Sequence, residues 1–288
     1  GIKITTYEYG VYGGLEKKLF KDKFTFNAAV RADKNKNFDL LISPAASVVW
    51  NPSPNNYFRF SFSSAIRNPT LTDQYLNLNV GPATLVGNLY GADSVITVES
   101  FIDHLTDLSN KVEYFNIDPI KPEKVKSFEL GARTTLFEKI YVDAGYFYSI
   151  YNDFIGYNIG IKSEFDPVTS LPNFVNVYRY AANSTNTVTT QGFNIGLNYY
   201  FATYYMVAAN YSWNKLNKTF AEDPIIPAFN TPEHKYNVSI SARNLEINLG
   251  RKSLKNIGFN VTYKWLQGFI FEGSPQLTGF INSYALMD

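Results

Sequence analysis

The sequence contains no cysteine, two histidines and almost no excess of charge, since 26 Lys and Arg face 25 Asp and Glu over 288 residues. The missing cysteines exclude a disulfide scaffold. The balanced charge provides no basic field, so we expect no nucleic acid partner. No run of about 18 apolar residues is present, which excludes a transmembrane helix.

Sequence patterns of catalytic and metal sites are missing as well. His104 and His234 lie in different predicted loops, and neither belongs to a zinc-binding motif. The loop acids Asp103, Asp107 and Asp118 do not follow the spacing of a calcium-binding loop. We therefore expect no enzyme, no catalytic residue, no metal site and no cofactor.

What the sequence has in abundance is Tyr and Phe, in segments that alternate with a period of two. In the stretch 121–153, the apolar side chains Val142, Ala144 and Tyr146 alternate with Asp143 and Gly145. A matching segment precedes them, and the link 137–139 separates the two. The pattern predicts a β-hairpin long enough to cross a bilayer at a tilt, which takes roughly 9–11 residues.

The same alternation recurs in about ten segments, and an eleventh begins at Ser283. The side opposite the apolar one is rich in Gly, Asn, Ser and Thr, which suits a water-filled lumen. The fold class we predict is all-β, a transmembrane antiparallel β-barrel. Its apolar face is best represented by the following segments: Phe24–Ala32, Phe58–Phe62, Val142–Ile150, Phe193–Phe201, Val207–Trp213, Tyr236–Ala242 and Phe259–Trp265.

The predicted connections fall into two classes. Short ones lie near 17–22, 51–56, 137–139 and 202–204, and long ones at 66–122, 152–187, 216–233 and 266–282. Short periplasmic turns alternating with long extracellular loops are typical of outer-membrane barrels, and only the connection near 34–38 departs from this order. A soluble β-sandwich, whose strands also alternate, is the structural alternative.

Two further features belong to this prediction. Apolar residues at helical spacing predict a surface helix within 93–116, packed on the barrel mouth. Aromatic residues at strand ends predict the girdles of a barrel at the two membrane interfaces. These aromatic residues are Trp50, Tyr57, Tyr141, Tyr151, Tyr199, Tyr200, Trp213 and Trp265.

Two segments carry a resemblance to a known family. Residues 63–75, which include Arg67, Asn68, Pro69 and Thr70, resemble the Phe-Arg-x-Pro-Thr-Leu segment of TonB-dependent outer-membrane transporters. Residues 120–131 are similar to that family's Leu-Lys-Pro-Glu strand opening. The matching positions there are Lys121, Pro122, Glu123, Glu129 and Gly131.

The resemblance implies a barrel of about 22 strands around an N-terminal plug domain. On this basis residues 1–288 form one partial barrel domain, from the C-terminal part of the barrel, without the plug and the last strands. A barrel of about ten strands that closes on itself is the alternative. The implied location is the outer membrane of a Gram-negative bacterium.

The resemblance also implies partners and inner-face contacts. TonB would act through the plug, and lipid and lipopolysaccharide would surround the barrel. In the SusC-like branch a surface lipoprotein caps the barrel, and the long loops are compatible with it or with other subunits of an outer-membrane complex. Five lumen-facing residues are candidates for contacts with the plug, namely Arg31, Arg59, Glu129, Arg133 and Arg243.

The implied function is active uptake of a siderophore, an oligosaccharide or a peptide, with energy coupled through TonB. Substrate would first meet the long loops 76–120, 152–187 and 218–233. Two alternatives stay open. The chain could serve as a structural or assembly subunit of an outer-membrane complex, or it could be a passive porin.

Overall fold

The protein consists almost entirely of β-strands in a computed structural model that describes residues 3–218, 230–250, 252–274 and 277–288. Of the predicted substrate loop 218–233, residues 219–229 lie outside these ranges. In chain order the elements are β1 (Glu8–Leu19), β2 (Phe24–Asn35), β3 (Leu41–Ser53), β4 (Asn56–Arg67), α1 (Leu71–Tyr75), β5 (Asn77–Asn79), β6 (Thr84–Val86), β7 (Ala92–Ile96), α2 (Val98–Thr106), β8 (Tyr114–Ile117), β9 (Glu123–Leu136), β10 (Ile140–Asn152), β11 (Ile155–Lys162), β12 (Asn176–Asn183), β13 (Val188–Phe201), β14 (Tyr205–Lys218), β15 (His234–Leu249), β16 (Lys252–Leu266), β17 (Phe269–Ser274), β18 (Leu277–Ile281) and β19 (Tyr284–Met287).

Eleven of these strands form one antiparallel sheet, the wall sheet, in the order β1-β2-β3-β4-β9-β10-β13-β14-β15-β16-β19. Its first ten strands have 12 to 16 residues. They are much longer than the usual strand of about 5–6 residues. Each strand pairs with the next wall strand along the chain, so the sheet is a simple meander. The eleven predicted segments are confirmed, whereas closure and a count of 22 stay predictions.

The alternation of side chains continues from strand to strand across the wall sheet. Phe60 pairs with Leu130, Leu130 with Tyr146, Tyr146 with Phe193 and Phe193 with Trp213, so all five lie on one face. Phe60 is 47% exposed and Leu130 57% exposed. A sandwich would bury these side chains against a second sheet. In the structure they form an uncovered apolar face, as a membrane-facing wall requires.

The connections follow the predicted order. Two to four residues join β1 to β2, β3 to β4, β9 to β10 and β13 to β14 at one end of the wall sheet. At the other end lie the segments 68–122, 153–187 and 267–283, and the five-residue connection 36–40 is the exception. Within the described ranges, no helix is long and apolar enough to span a membrane.

The aromatic girdle corresponds to the prediction only in part. Trp50, Tyr199, Trp213 and Trp265 lie on the exposed apolar face. The other four predicted girdle residues occupy positions of opposite parity and so lie on the polar face. They are Tyr57, Tyr141, Tyr151 and Tyr200. A register with a period of two sends neighbouring residues such as Tyr199 and Tyr200 to opposite faces, whatever their chemistry.

The long connections contain a second sheet, which the sequence did not indicate. Parts of 68–122 and 153–187 form a six-stranded sheet, the loop sheet, in the order β5-β6-β12-β11-β7-β8. One cluster of buried side chains lies on it, built from Val95, Ile117, Tyr180 and Ala182. Burial there raises the pKa of Tyr180 to about 12. Most of the buried apolar residues of the described chain lie in these connections and not in the wall sheet.

The predicted helix exists but is shorter than predicted. Instead of filling 93–116, α2 has nine residues, because the flanking segments pair with each other as β7 and β8. Thr97 caps its first turn by accepting a hydrogen bond from the Ser100 N–H at 3.3 Å. Phe101 packs with Ile96 and Ile161 in a second buried cluster. The helix therefore packs on the loop sheet, and its packing on the barrel mouth stays a prediction.

Two neighbouring positions at the middle of β13 test the assignment of faces. Ile195 lies on the apolar face and Asn194 on the polar face. A charge that must enter lipid at the bilayer midplane costs about 2–4 kcal/mol. We expect Ile195→Arg to lower the free energy of unfolding of the receptor in lipid vesicles by about this amount, measured by urea titration. Asn194→Arg is the matched control, and an equal loss in both variants would contradict the assignment.

Candidate functional site

The two family-like segments meet at the loop end of β4 and β9. Arg67 lies opposite Glu123 in the register, and its Nη2 is 2.7 Å from Glu123 Oε2. The same Oε2 accepts the Ile155 N–H at 2.9 Å, and Arg67 donates to the Ile155 carbonyl oxygen at 3.3 Å. Glu123 is 6% exposed. Its buried carboxylate thus joins two wall strands to the first residue of the loop sheet strand β11.

The residues that follow Arg67 shape the beginning of the longest connection. Asn68 donates to Glu8 at 3.1 Å, and the Pro69 carbonyl oxygen accepts a hydrogen bond from the buried Gln74 at 2.7 Å. Thr70 and Asp73 form a capping box at α1, in which each side chain accepts the backbone N–H of the other. The spacing Thr-x-x-Asp is a signal that sequence reasoning could have used to place this helix.

A second junction lies directly before β9. The backbone N–H of Lys121 donates to Asn183 Oδ1 at 2.7 Å, and Asn183 Nδ2 donates to the carbonyl oxygens of Lys121 at 2.9 Å and Asp153 at 2.7 Å. Pro122 is buried beside it. One amide thereby ties three strand ends together. Sequence reasoning missed Asn183 because an asparagine in a polar loop carries no signal of its partners.

The predicted inner-face charges are mostly paired within the wall sheet. Arg59 lies 3.4 Å from Glu129, and Arg133 lies 2.7 Å from Asp143. Arg31 pairs at 2.7 Å with Asp33. Exposed pairs of this kind contribute about 0–1 kcal/mol each, so they keep charges compatible with a wet lumen more than they stabilise the wall.

Two predicted positions stand apart from these pairs. In the part of the chain that the structure describes, no carboxylate lies within ion-pair distance of Arg243. Gly131 lies opposite Arg59, and a Cβ built there would be 3.7 Å from Arg59 Nε, an ordinary contact. The structure therefore gives no steric reason for glycine at position 131.

The loop sheet also holds a buried histidine between two connections. His104 on α2 lies with Nδ1 2.6 Å from the Asn110 carbonyl oxygen and Nε2 2.8 Å from the Ser170 carbonyl oxygen. The edge of its ring meets Phe165, with ring centroids 4.9 Å apart. Both nitrogens face acceptors, and only the imidazolium donates from both. These two hydrogen bonds raise the pKa of His104 above its usual value of 6.5.

This geometry defines a class of protein. A meander of long strands with one uncovered apolar face, a polar opposite face, short turns at one end and folded loops at the other is the wall of an outer-membrane β-barrel protein. The family model described as "TonB dependent receptor-like, beta-barrel" matches residues 2–288. The chain therefore belongs to the TonB-dependent receptor family, whose members are outer-membrane proteins of Gram-negative bacteria.

Solved structures agree with this fold. The FrpB iron transporter from Neisseria meningitidis is 14% identical with a TM-score of 0.60, over 97% of this chain and 37% of that protein. The siderophore receptor PirA from Acinetobacter baumannii is 13% identical with a TM-score of 0.62, over 98% and 38%. The copper transporter OprC is 11% identical with a TM-score of 0.63, over 98% and 39%.

The chain corresponds to only part of these structural relatives, since it spans less than half the length of each. No curated protein sequence is significantly similar to it. The family, the outer-membrane location and the barrel-wall fold predicted from the sequence are confirmed, and the SusC-like branch stays a prediction.

The junction at Glu123 can be tested through the docking of the loops. Glu123→Ala leaves the buried Ile155 N–H without an acceptor, which costs about 1–3 kcal/mol. We expect limited trypsin digestion of the receptor in membranes to cut within 153–187 roughly tenfold faster in this variant. Glu99→Ala, on the exposed side of α2, is the control. Equal cleavage rates in both variants would show that Glu123 does not hold the loop sheet in place.

The two hydrogen bonds of His104 predict that the stability of the folded loops depends on pH. Because the pKa of His104 is higher in the folded loops than in the unfolded chain, its stabilising contribution is complete below about pH 6.5. That contribution is lost as the pH rises through the raised folded pKa. We expect slower hydrogen exchange in residues 166–171 at pH 6 than at pH 8.5, after correction for the intrinsic rate. His104→Gln should remove this difference, and its persistence in the variant would exclude His104 as the cause.

Proposed function

We propose that this chain is the wall and loop sheet of a receptor that takes up a nutrient across the outer membrane with energy coupled through TonB. The nutrient class is a siderophore or metal complex, an oligosaccharide or a peptide. The relatives named above support the first class, since they are described as iron and copper transporters and a siderophore receptor. The whole receptor would contain a plug domain on which TonB acts.

One observation supports this proposal most directly, namely the folded loop sheet fixed to the wall at Arg67 and Glu123. Binding residues are often placed on loops that a rigid scaffold positions. Here a buried core and charged hydrogen bonds connect the loops to one another and to the wall, so that they would present a preformed surface to the cell exterior. A preformed surface loses less conformational entropy on binding a ligand.

Two other functions remain as candidates. A passive porin would share the wall but would move solutes without an energy source. A structural or assembly subunit would use the loop surface for fixed protein partners, including a surface lipoprotein, and would bind no small nutrient. Energy dependence distinguishes active uptake from a passive porin. A growth phenotype distinguishes active uptake from a structural or assembly subunit.

The experiment deletes the gene of the whole receptor in its host and compares growth on limiting iron, copper, oligosaccharides and peptides. We expect the deletion strain to lose growth on one of these nutrients. Labelled uptake of that nutrient in the parent strain should stop when a protonophore collapses the inner-membrane gradient. Uptake that persists with the protonophore would indicate a porin. Unchanged growth of the deletion strain on every nutrient, together with proteins that co-purify with the receptor from the parent strain, would indicate an assembly subunit.

We further propose that the inner-face charges contact the plug, with Arg243 as the strongest candidate among Arg31, Arg59, Glu129, Arg133 and Arg243. The other four already have partners within the wall sheet at 2.7 to 3.4 Å, whereas Arg243 is without a carboxylate in the described ranges. In the same uptake assay, Arg243→Gln should reduce uptake more than Arg133→Gln. Uptake unchanged by both substitutions would count against plug contacts by these residues.

A further inference from the structure

We propose that a cavity between the loop sheet and the end of β4 binds an anionic group of the transported molecule, and that Arg179 is the residue that contacts the anion. The inference rests on the proposed uptake function and narrows its substrate class. The substrate would carry a carboxylate or another oxyanion on an apolar or aromatic body.

The cavity has a volume of about 330 Å³. This value lies at the lower end of the range of small-molecule sites, so the cavity accommodates one part of a larger substrate. One of its lining residues, Arg67, belongs to the polar face of the wall sheet. The residues that matter for its chemistry are Arg67, Asp73, Leu76, Ile155, Tyr157 and Arg179.

The charges in this cavity differ in whether they are already engaged. Arg67 is held by Glu123 at 2.7 Å. The Asp73 carboxylate accepts the Thr70 N–H and the Thr70 hydroxyl, both at 2.8 Å. Arg179, on β12, has neither an ion pair nor a hydrogen-bond acceptor within the described ranges. Asp73 keeps its negative charge among these neutral donors, whereas Arg179 is the charged lining residue that has no hydrogen-bond or ion-pair partner within the described ranges.

The position of the Arg179 guanidinium is fixed by stacking. Its Cζ lies 3.3 Å from the ring centroid of Tyr157, and Tyr157 is only 9% exposed. Stacking on a buried ring holds the guanidinium plane but leaves the N–H groups at its edge available for in-plane acceptors. Partial burial lowers the pKa of Arg179 from its usual value, since the charge has lost part of its hydration.

These observations define a preference for an anion. A guanidinium presents five N–H donors in a planar fork that matches the two oxygens of a carboxylate. A partly desolvated cation without a partner gains more from an incoming anion than a solvated one does. The apolar side chains Leu76, Leu85, Ile155 and Ala181 line the remainder of the cavity. They would contact the apolar or aromatic body next to the anionic group.

The test uses two probes of equal shape, benzoate and its uncharged counterpart benzamide, together with inorganic phosphate as a free anion. Binding of benzoate and benzamide to the purified whole receptor is followed by saturation-transfer proton NMR, and binding of phosphate by its displacement of benzoate. We expect benzoate to bind at least tenfold more tightly than benzamide. Arg179→Gln should reduce benzoate affinity at least tenfold, and Arg179→Lys, which keeps the charge but loses the fork, should reduce it less. Phosphate binding lost in parallel would identify a general oxyanion site, and benzoate binding alone would identify a carboxylate on an apolar body.

The control is Lys162→Gln, which removes a positive charge from an exposed position of the same loop sheet. Heat-dependent migration on gels shows that each variant is folded. Equal benzoate affinity in wild type and Arg179→Gln would overturn the inference, as would equal binding of benzamide and benzoate or no binding of any probe. The proposed function fails separately, when the unmodified receptor shows no protonophore-sensitive uptake of any nutrient.

Discussion

The wall sheet depends on the register between its strands. Each pairing places apolar residues opposite apolar ones, as in the row from Phe60 to Trp213, and a slip by one residue would exchange the two faces along a whole strand. Such a slip would bring Arg59 or Glu129 to the lipid side, where a charge is energetically costly. The membrane therefore favours the correct register. The short turns between β9 and β10 and between β13 and β14 leave little freedom to slip.

The wall sheet and the loop sheet are stabilised in different surroundings, one in lipid and the other in water. In the wall, apolar side chains face outward, so bilayer lipid takes the place of a protein core. In the loops, which meet water, stability needs a dry core, and the clusters around Val95 and around Phe101 provide it. The loop sheet therefore follows the rules of a small soluble domain, while the wall follows those of a membrane protein.

Charges are arranged according to these two environments. On the polar side of the wall, Arg31, Arg59 and Arg133 pair with acids within the same sheet, and these pairs remain exposed to water. At the junction of wall and loops, the buried Glu123 satisfies both Arg67 and a backbone N–H, which compensates for its loss of hydration. Arg179 differs from the exposed Arg243, which also lacks an ion pair within the described chain, because its charge is partly buried and stacked on Tyr157. A partly desolvated charge without an ion pair in a cleft is a candidate for a functional position.

The amino-acid sequence alone was enough to predict the family, the wall strands, their faces and the two classes of connection. The strands and their faces follow from a local period of two, which each segment carries without reference to any other. The family follows from the motifs at 63–75 and 120–131, and the connection classes from the spacing between segments. The folded structure was needed to show that Arg67 meets Glu123, that Asn183 joins three strand ends, and that segments around 92–117 and 155–183 pair into a loop sheet. It was also needed to show which aromatic residues face outward, and that α2 ends at Thr106. Short loop strands have weak periodicity, and their pairing depends on contacts between residues far apart in the chain, which local pattern does not encode.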